Sequence, residues 1–172
     1  MSELTVRPRT DDHIPGCVEA LATVHAADRY PVDWPADPEG WLTPPSLVGA
    51  WVAVDGTGVL GHMALTRPTE ALAASVGLPA RRLVAVARLF VGTRARRRGV
   101  AARLLEEAAE VAVAQRLTPV LEVEAGATSA IELYERTGWS RVGSTVGDWT
   151  TADGRAARLL SYVAPPRVRT PG

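Results

Sequence analysis

The sequence predicts an α/β (α+β) fold: a mixed central sheet of about seven strands flanked by about four helices. Three observations lead there. Short apolar runs bounded by Gly, Pro and Asp alternate with amphipathic runs along all 172 residues. The run Arg82 to Val91 is apolar on both faces, with Val84, Val86 and Phe90 on one and Leu83, Leu89 and Val91 on the other. A strand of that kind is central and covered twice. The segment opening at Gly99 puts Ala101, Leu104, Leu105, Ala108, Val111 and Ala112 on one stripe and Arg103, Glu106, Glu107 and Glu110 on the other. That is an amphipathic helix.

The remaining elements follow in order. Leu4 to Arg7 reads as a strand ended by Pro8, and Asp11 or Asp12 can cap a helix through Cys17, Leu21 and Val24 to Ala27. Arg29 to Pro45 is rich in Pro and Trp and predicts a loop, with a short helix near Glu39–Leu42. Val48–Val54 and Val59–Thr66 form a hairpin around Asp55-Gly56-Thr57-Gly58. Gly56-Thr57-Gly58-Val59-Leu60-Gly61 spells the dinucleotide fingerprint, but a strand follows it instead of the helix that must meet a pyrophosphate. Arg67 to Ala80 is a small-residue stretch with at most partial helix. Pro119–Glu124 is a strand, Thr128 or Ser129 caps a helix stopped by Gly138, and Trp139–Thr150 pairs with Ala156–Val163 around Asp153-Gly154.

Composition narrows the function classes. A hydrophobic content of 47 % with 22 % charged residues excludes general disorder. No apolar run reaches the ~20 residues of a membrane helix, and the N-terminus has no basic head with an apolar segment behind it. The expected location is cytoplasmic. Cys17 is the single cysteine, so there is no internal disulfide and no cysteine metal cluster. Its neighbours Ile14, Val18 and Leu21 suggest a buried thiol. Net charge is zero but unevenly spread: residues 1–80 carry four Arg against ten acidic residues, net −6, and residues 81–172 carry fifteen Arg against nine, net +6. Arginine grips phosphate in a fork, which suits an anionic ligand on the second half. Nucleic acid is disfavoured, because stacking aromatics are not interleaved with the arginines.

The most informative stretch joins a strand, Leu89-Phe90-Val91, through an arginine-rich turn to the helix at Gly99. A helix start presents unpaired backbone N–H groups and partial positive charge, a ready phosphate site. Arg96-x-x-Gly99-x-Ala101 resembles the (Gln/Arg)-x-x-Gly-x-(Gly/Ala) motif of GNAT acetyltransferases. Downstream, Ala130-Ile131-Glu132-Leu133-Tyr134-Glu135-Arg136-Thr137-Gly138-Trp139 resembles the second GNAT signature, A-x-x-L-Y-x-x-x-G-(F/W). Both motifs stand in the family's order, each after a strand.

The resemblance implies a single GNAT domain over residues 1–164, with a sheet splayed between its fourth and fifth strands and a disordered tail at 165–172. It implies acetyl-CoA as co-substrate, no metal, and direct transfer of acetyl to a primary amine in a ternary complex. Leu89, Phe90 and Val91 would hold the acetyl and pantetheine part through backbone N–H groups at a bulge. Arg96, Arg97, Arg98, Gly99, Val100, Ala101 and Ala102 would hold the pyrophosphate, mainly through backbone. Tyr134 stands where the family places its general acid. Glu122 matches the glutamate that N-terminal acetyltransferases of this superfamily use as base; it and Glu124 equally suit charge partners for arginine. His25 and His62 are alternative bases. Ala127 occupies the position where many relatives carry an Asn that bonds the pantetheine arm. A catalytically silent acyl-CoA-binding module and a homodimer are both compatible with the resemblance. The acidic first half favours a cationic acceptor.

Overall fold

The computed structural model describes residues 3–151 and 153–167. Seven strands are ordered β1-β2-β3-β4-β5-β7-β6, namely β1 (Thr5–Pro8), β2 (Leu47–Asp55), β3 (Gly58–Thr66), β4 (Leu83–Val91), β5 (Thr118–Glu124), β6 (Ser140–Thr150) and β7 (Ala156–Val163). The helices are α1 (Ile14–Asp28), α2 (Pro38–Trp41), α3 (Glu70–Val76), α4 (Val100–Ala114) and α5 (Thr128–Arg136). β4 and β5 run parallel, in register at Leu83–Thr118, Val84–Pro119 and Ala85–Val120. The hairpins β2–β3 and β6–β7, and the pairs β1–β2 and β5–β7, are antiparallel. The sheet is mixed, as expected.

Two compact units emerge, Met1–Thr66 with Val86–Ala108, and Arg67–Ala85 with Ala109–Gly172. In the first unit, α1 places Cys17, Ala20, Leu21 and Val24 on one stripe and buries them with Leu42, Val52 and Phe90. Cys17 is fully buried, and burial pushes its thiol up to about 11 against the opposing charge of Arg9. It is a core residue. Truncating Leu21, equally buried, would cost about 2–5 kcal/mol. In the second unit, α3 buries Leu72 and Ala73 against Leu83, Ala85 and Val120. Tyr134 on α5 packs against Trp139 and Tyr162, each pair of ring centroids 6.1 Å apart.

Two local readings are corrected. Neither Asp11 nor Asp12 caps α1: both lie inside a 3-10 turn whose entry is closed by Thr10, its N–H donating to His13 Nδ1 at 2.9 Å. Neither Thr128 nor Ser129 caps α5. The cap position is Ala127, and the Thr128 hydroxyl turns back to the Gly126 carbonyl at 3.3 Å. Arg67 to Ala80 is partly helical, as expected: α3 is capped by Thr69, which accepts from Leu72 N–H at 3.1 Å, and Gly77 ends it at φ +81°. The expected tail falls partly outside the description: residues 168–172 lie beyond it, as does Ala152 in the last turn. Residues 165–167 are exposed and belong to no helix or strand.

Candidate active site

Within the first unit, β4 changes character at Arg88, which has φ +52° in the middle of a strand. A left-handed residue of this kind breaks the ladder and re-aims its neighbours, as a bulge does. Arg88 directly precedes Leu89–Val91, where the resemblance implies a bulge. Its carbonyl is held from the neighbouring strand: His62 Nδ1 donates to Arg88 O at 2.9 Å, and His62 Nε2 accepts from Arg9 at 2.8 Å. Arginine can only donate, so the pair of contacts defines the neutral His62 tautomer. Burial holds the imidazole down at about 4; the bond to the Arg88 carbonyl opposes that, and the charges of Arg9 and Arg88 add to it. With both ring nitrogens engaged, His62 has no lone pair to offer a substrate amine. Its ring stacks on Phe90 with centroids 5.2 Å apart, and Phe90 is itself buried. What Phe90 can present to a ligand is backbone.

The arginine turn is built by its own side chains. Gly92 N–H donates to Leu60 O at 2.8 Å, and a 3-10 turn spans Thr93–Ala95. Arg94 reaches Thr57 Oγ1 at 2.5 Å and Val59 O at 3.2 Å, tying the turn to the β2–β3 hairpin. Arg98 pairs with Asp55 at 3.1 Å, and Arg96 pairs with Asp28 at the end of α1. Hydrogen bonds from Thr57, with Arg98 helping, hold the Asp55 carboxyl down at about 2. Arg97 and Gly99 are left-handed, φ +63° and +71°, on either side of Arg98. Alternating backbone of this kind turns successive N–H groups to one side and forms an anion-binding nest. The first bond of α4 in this turn is Arg103 N–H to Gly99 O at 3.1 Å, so Val100, Ala101 and Ala102 have no intrahelical acceptor. Gly99 is required for its φ, and nothing lies within 4 Å of where its Cβ would stand. Gly61 is required for space, because a Cβ there would sit 2.9 Å from Phe90 O and 3.1 Å from Val100 Cγ1. Between Leu89 and Ala102 the N–H groups of Gly92, Thr93 and Ala95 are bonded within the protein, and those of Val100, Ala101 and Ala102 stand at the open start of α4.

The second unit carries the two other candidates. Tyr134 is 8 % exposed, on the face of β5 and β7 that bears Tyr162, whose hydroxyl donates to Glu135 at 3.0 Å. Glu122 pairs in register with Ser161, whose hydroxyl lies 2.6 Å from that of Ser75 on α3. Register partners share a face and alternate residues change it. Glu122 therefore projects from the face opposite Tyr134, and the fold does not bring the two side chains together. Glu122 is exposed, yet desolvation by its surroundings raises its pKa.

His25 Nδ1 donates to Pro31 O at 2.7 Å, and its ring lies 5.4 Å from Trp34. A shallow cavity of about 460 Å³ is lined there by His25, Ala26, Arg29, Val32, Asp33 and Trp34, none of them a site residue proposed from sequence apart from His25. Among the described residues no group of three His, Cys, Asp or Glu gathers as metal ligands, and no helix is long and apolar enough to cross a membrane. Sequence reasoning missed Arg88 and Arg9. The available signal was a lone arginine inside the apolar run Leu83–Val91.

The fold is shared with acetyltransferases of solved structure. An N-acetyltransferase from Staphylococcus aureus aligns with TM-score 0.73 at 15 % identity, covering 94 % of this chain and 98 % of that one. The ribosomal-protein-S18-alanine N-acetyltransferase of Escherichia coli aligns at 0.68 and 15 %, covering 98 % and 99 %. Arabidopsis thaliana NAA60 in complex with acetyl-CoA aligns at 0.68 and 20 %, covering 94 % and 97 %. At these identities the likeness is one of fold. No curated protein matches the chain in sequence. The profile of the acetyltransferase (GNAT) family matches residues 17–139, a span that takes in both the turn at Gly99 and the helix of Tyr134. With most of its length under that profile, the chain belongs to the GNAT acetyltransferase family.

Proposed function

We propose that the chain is an acetyl-CoA-dependent N-acetyltransferase in which a primary amine attacks the thioester directly in a ternary complex. The observation that carries this is the run from Arg88 to Ala102: a left-handed residue in β4, a short strand, then a nest opening on α4. Leu89, Phe90 and Val91 would hold the acetyl and pantetheine part by backbone. Arg97 to Ala102 would hold the pyrophosphate by backbone, while Arg96 and Arg98 shape the turn from outside. NAA60, bound to acetyl-CoA in its structure, shares this fold.

The chemistry asks for two proton movements. An amine of pKa ~10.4 must lose a proton at pH 7, at roughly 4–5 kcal/mol without help. Glu122 is the base in this reading, its raised pKa narrowing the gap to the amine. The departing sulfur needs a proton or hydrogen bond, which Tyr134 supplies. A phenol near ~10 protonating a thiolate near ~8.5 runs about 2 kcal/mol uphill, so hydrogen bonding is the larger part of that role. The test is release of free thiol from acetyl-CoA across a panel of primary amines, with mass spectrometry of the acetylated product. Acetyl-CoA binding without turnover of any amine would leave a silent acyl-CoA-binding module instead. For the base, Glu122→Gln should flatten the acid limb of the kcat/KM–pH profile; an unaltered limb returns Glu122 to a surface role.

A further inference from the structure

Arg88 is used twice. Its backbone is left-handed within β4, and its side chain does something that the transfer chemistry does not require. Nε donates to the Trp41 carbonyl at 3.1 Å, and the guanidinium carbon sits 4.1 Å from the centre of the Trp41 ring. Tyr30 closes on the same indole edge-on, centroids 6.0 Å apart, and Trp41 in turn meets Phe90 at 6.4 Å. The charge is half-buried, and desolvation lowers its pKa. Two other arginines of this unit have carboxylate partners: Arg96 with Asp28, Arg98 with Asp55. Arg88 has no carboxylate partner among the described residues, and the group acting on its charge is the Tyr30 phenol. No buried side-chain nitrogen or oxygen among the described residues lacks a partner, so the free edge of the guanidinium opens to solvent.

A desolvated, uncompensated guanidinium, flattened on an aromatic ring, is a costly arrangement that an incoming anion relieves. It also occupies the face of Trp41 that a cationic ligand would otherwise use. Arg88 directly precedes Leu89–Val91, the segment assigned to the acetyl group, so a bound anion would stand close to the reacting amine. We infer that Arg88, seated on Trp41 and bordered by Tyr30, is a carboxylate-recognising residue for the acceptor, which is then a small zwitterionic amine of the amino-acid class. This rests on the N-acetyltransferase reading. A zwitterion carries no net charge, so this reading departs from the cationic acceptor that the acidic first half favours.

The experiment compares L-α-amino acids with their primary amides, which differ in that one charge. Thiol release gives kcat/KM, and calorimetry in the presence of coenzyme A gives binding without chemistry. Wild-type protein should favour the acid of at least one pair by about tenfold or more in both measurements. Arg88→Gln should erase that preference by weakening the acid more than the amide, and Arg88→Lys should restore part of it. Turnover of amines with no acid preference overturns the carboxylate site and leaves the enzyme reading intact. Arg88-dependent binding of the acid without turnover keeps the site and overturns the enzyme reading. Failure of every amino acid both to bind and to react overturns the site. The wild-type comparison decides the matter even if Arg88→Gln does not fold.

Discussion

The turn Thr93–Ala102 and the helix α5 with its strands handle polar residues in opposite ways. In the turn, most charged side chains serve the protein: Arg94, Arg96 and Arg98 bond to Thr57, Asp28 and Asp55, while Arg97 is exposed beside the backbone N–H groups at the start of α4. Around α5 the residues singled out are read through their side chains. There Tyr134 and Glu122 stand on opposite faces of the same strands. An arginine-rich motif can thus be a device for fixing backbone shape, while a motif with one tyrosine depends on that hydroxyl alone. Substitution should therefore be most damaging at conformation in the turn, and at functional groups around α5.

The largest effect is expected at Gly99. Gly99→Asp puts a carboxylate and a strained left-handed residue where the anion is to bind. It should abolish both acetyl-CoA binding and the thermal stabilisation acetyl-CoA confers. Gly99→Ala, which adds strain of about 1–2 kcal/mol without charge, should keep weakened binding. If Gly99→Asp binds as well as wild type in calorimetry, the location of the site is wrong.

Next comes Tyr134→Phe. Loss of the hydroxyl should lower kcat by roughly tenfold to a hundredfold, with acetyl-CoA affinity unchanged, because the group acts on the leaving sulfur. Equal loss of affinity and rate would make Tyr134 a packing residue for Trp139 and Tyr162.

A stability experiment probes the support beneath the bulge. His62 is held at about 4 when folded and titrates near 6.5 when unfolded. The unfolded chain therefore takes a proton that the folded one refuses. The neutral imidazole's contribution is whole above about pH 6.5 and disappears as pH falls to about 4, by about 3 kcal/mol at most. Urea midpoints across that window should fall for wild type and fall less for His62→Gln, which can still accept from Arg9 and donate to Arg88.

The smallest effect is expected at Arg96→Ala. Its pair with Asp28 is exposed, so stability should change by less than about 1 kcal/mol. Acetyl-CoA affinity should fall by less than about tenfold, since backbone carries the pyrophosphate in this reading. A loss as large as that of Gly99→Asp would mean that arginine side chains do the binding, and the contrast between the two regions would fail.

Much of this protein is legible in the one-dimensional pattern, because that pattern reports local preference. The double-faced apolar run makes Leu83–Val91 a central strand, the stripe from Leu104 to Ala112 makes α4, and the two spaced motifs carry the family. The partial helix in 67–80 has its bounds in Thr69, which caps it, and Gly77, which ends it. Other features depend on which distant residues meet. Arg96 pairs with Asp28 and Arg98 with Asp55, and only folding brings α1 and the β2–β3 hairpin to them. Strand register puts Glu122 and Tyr134 on opposite faces, although both belong to the family's pattern. Charge summed over residues 1–80 says nothing of Arg88, which lies outside that count yet rests on Trp41 within it. Composition and spacing are sums along the chain, whereas a guanidinium's role is set within a few ångströms by neighbours far away in sequence; that is why sequence alone disclosed the family and the tertiary structure alone exposed the seat of Arg88.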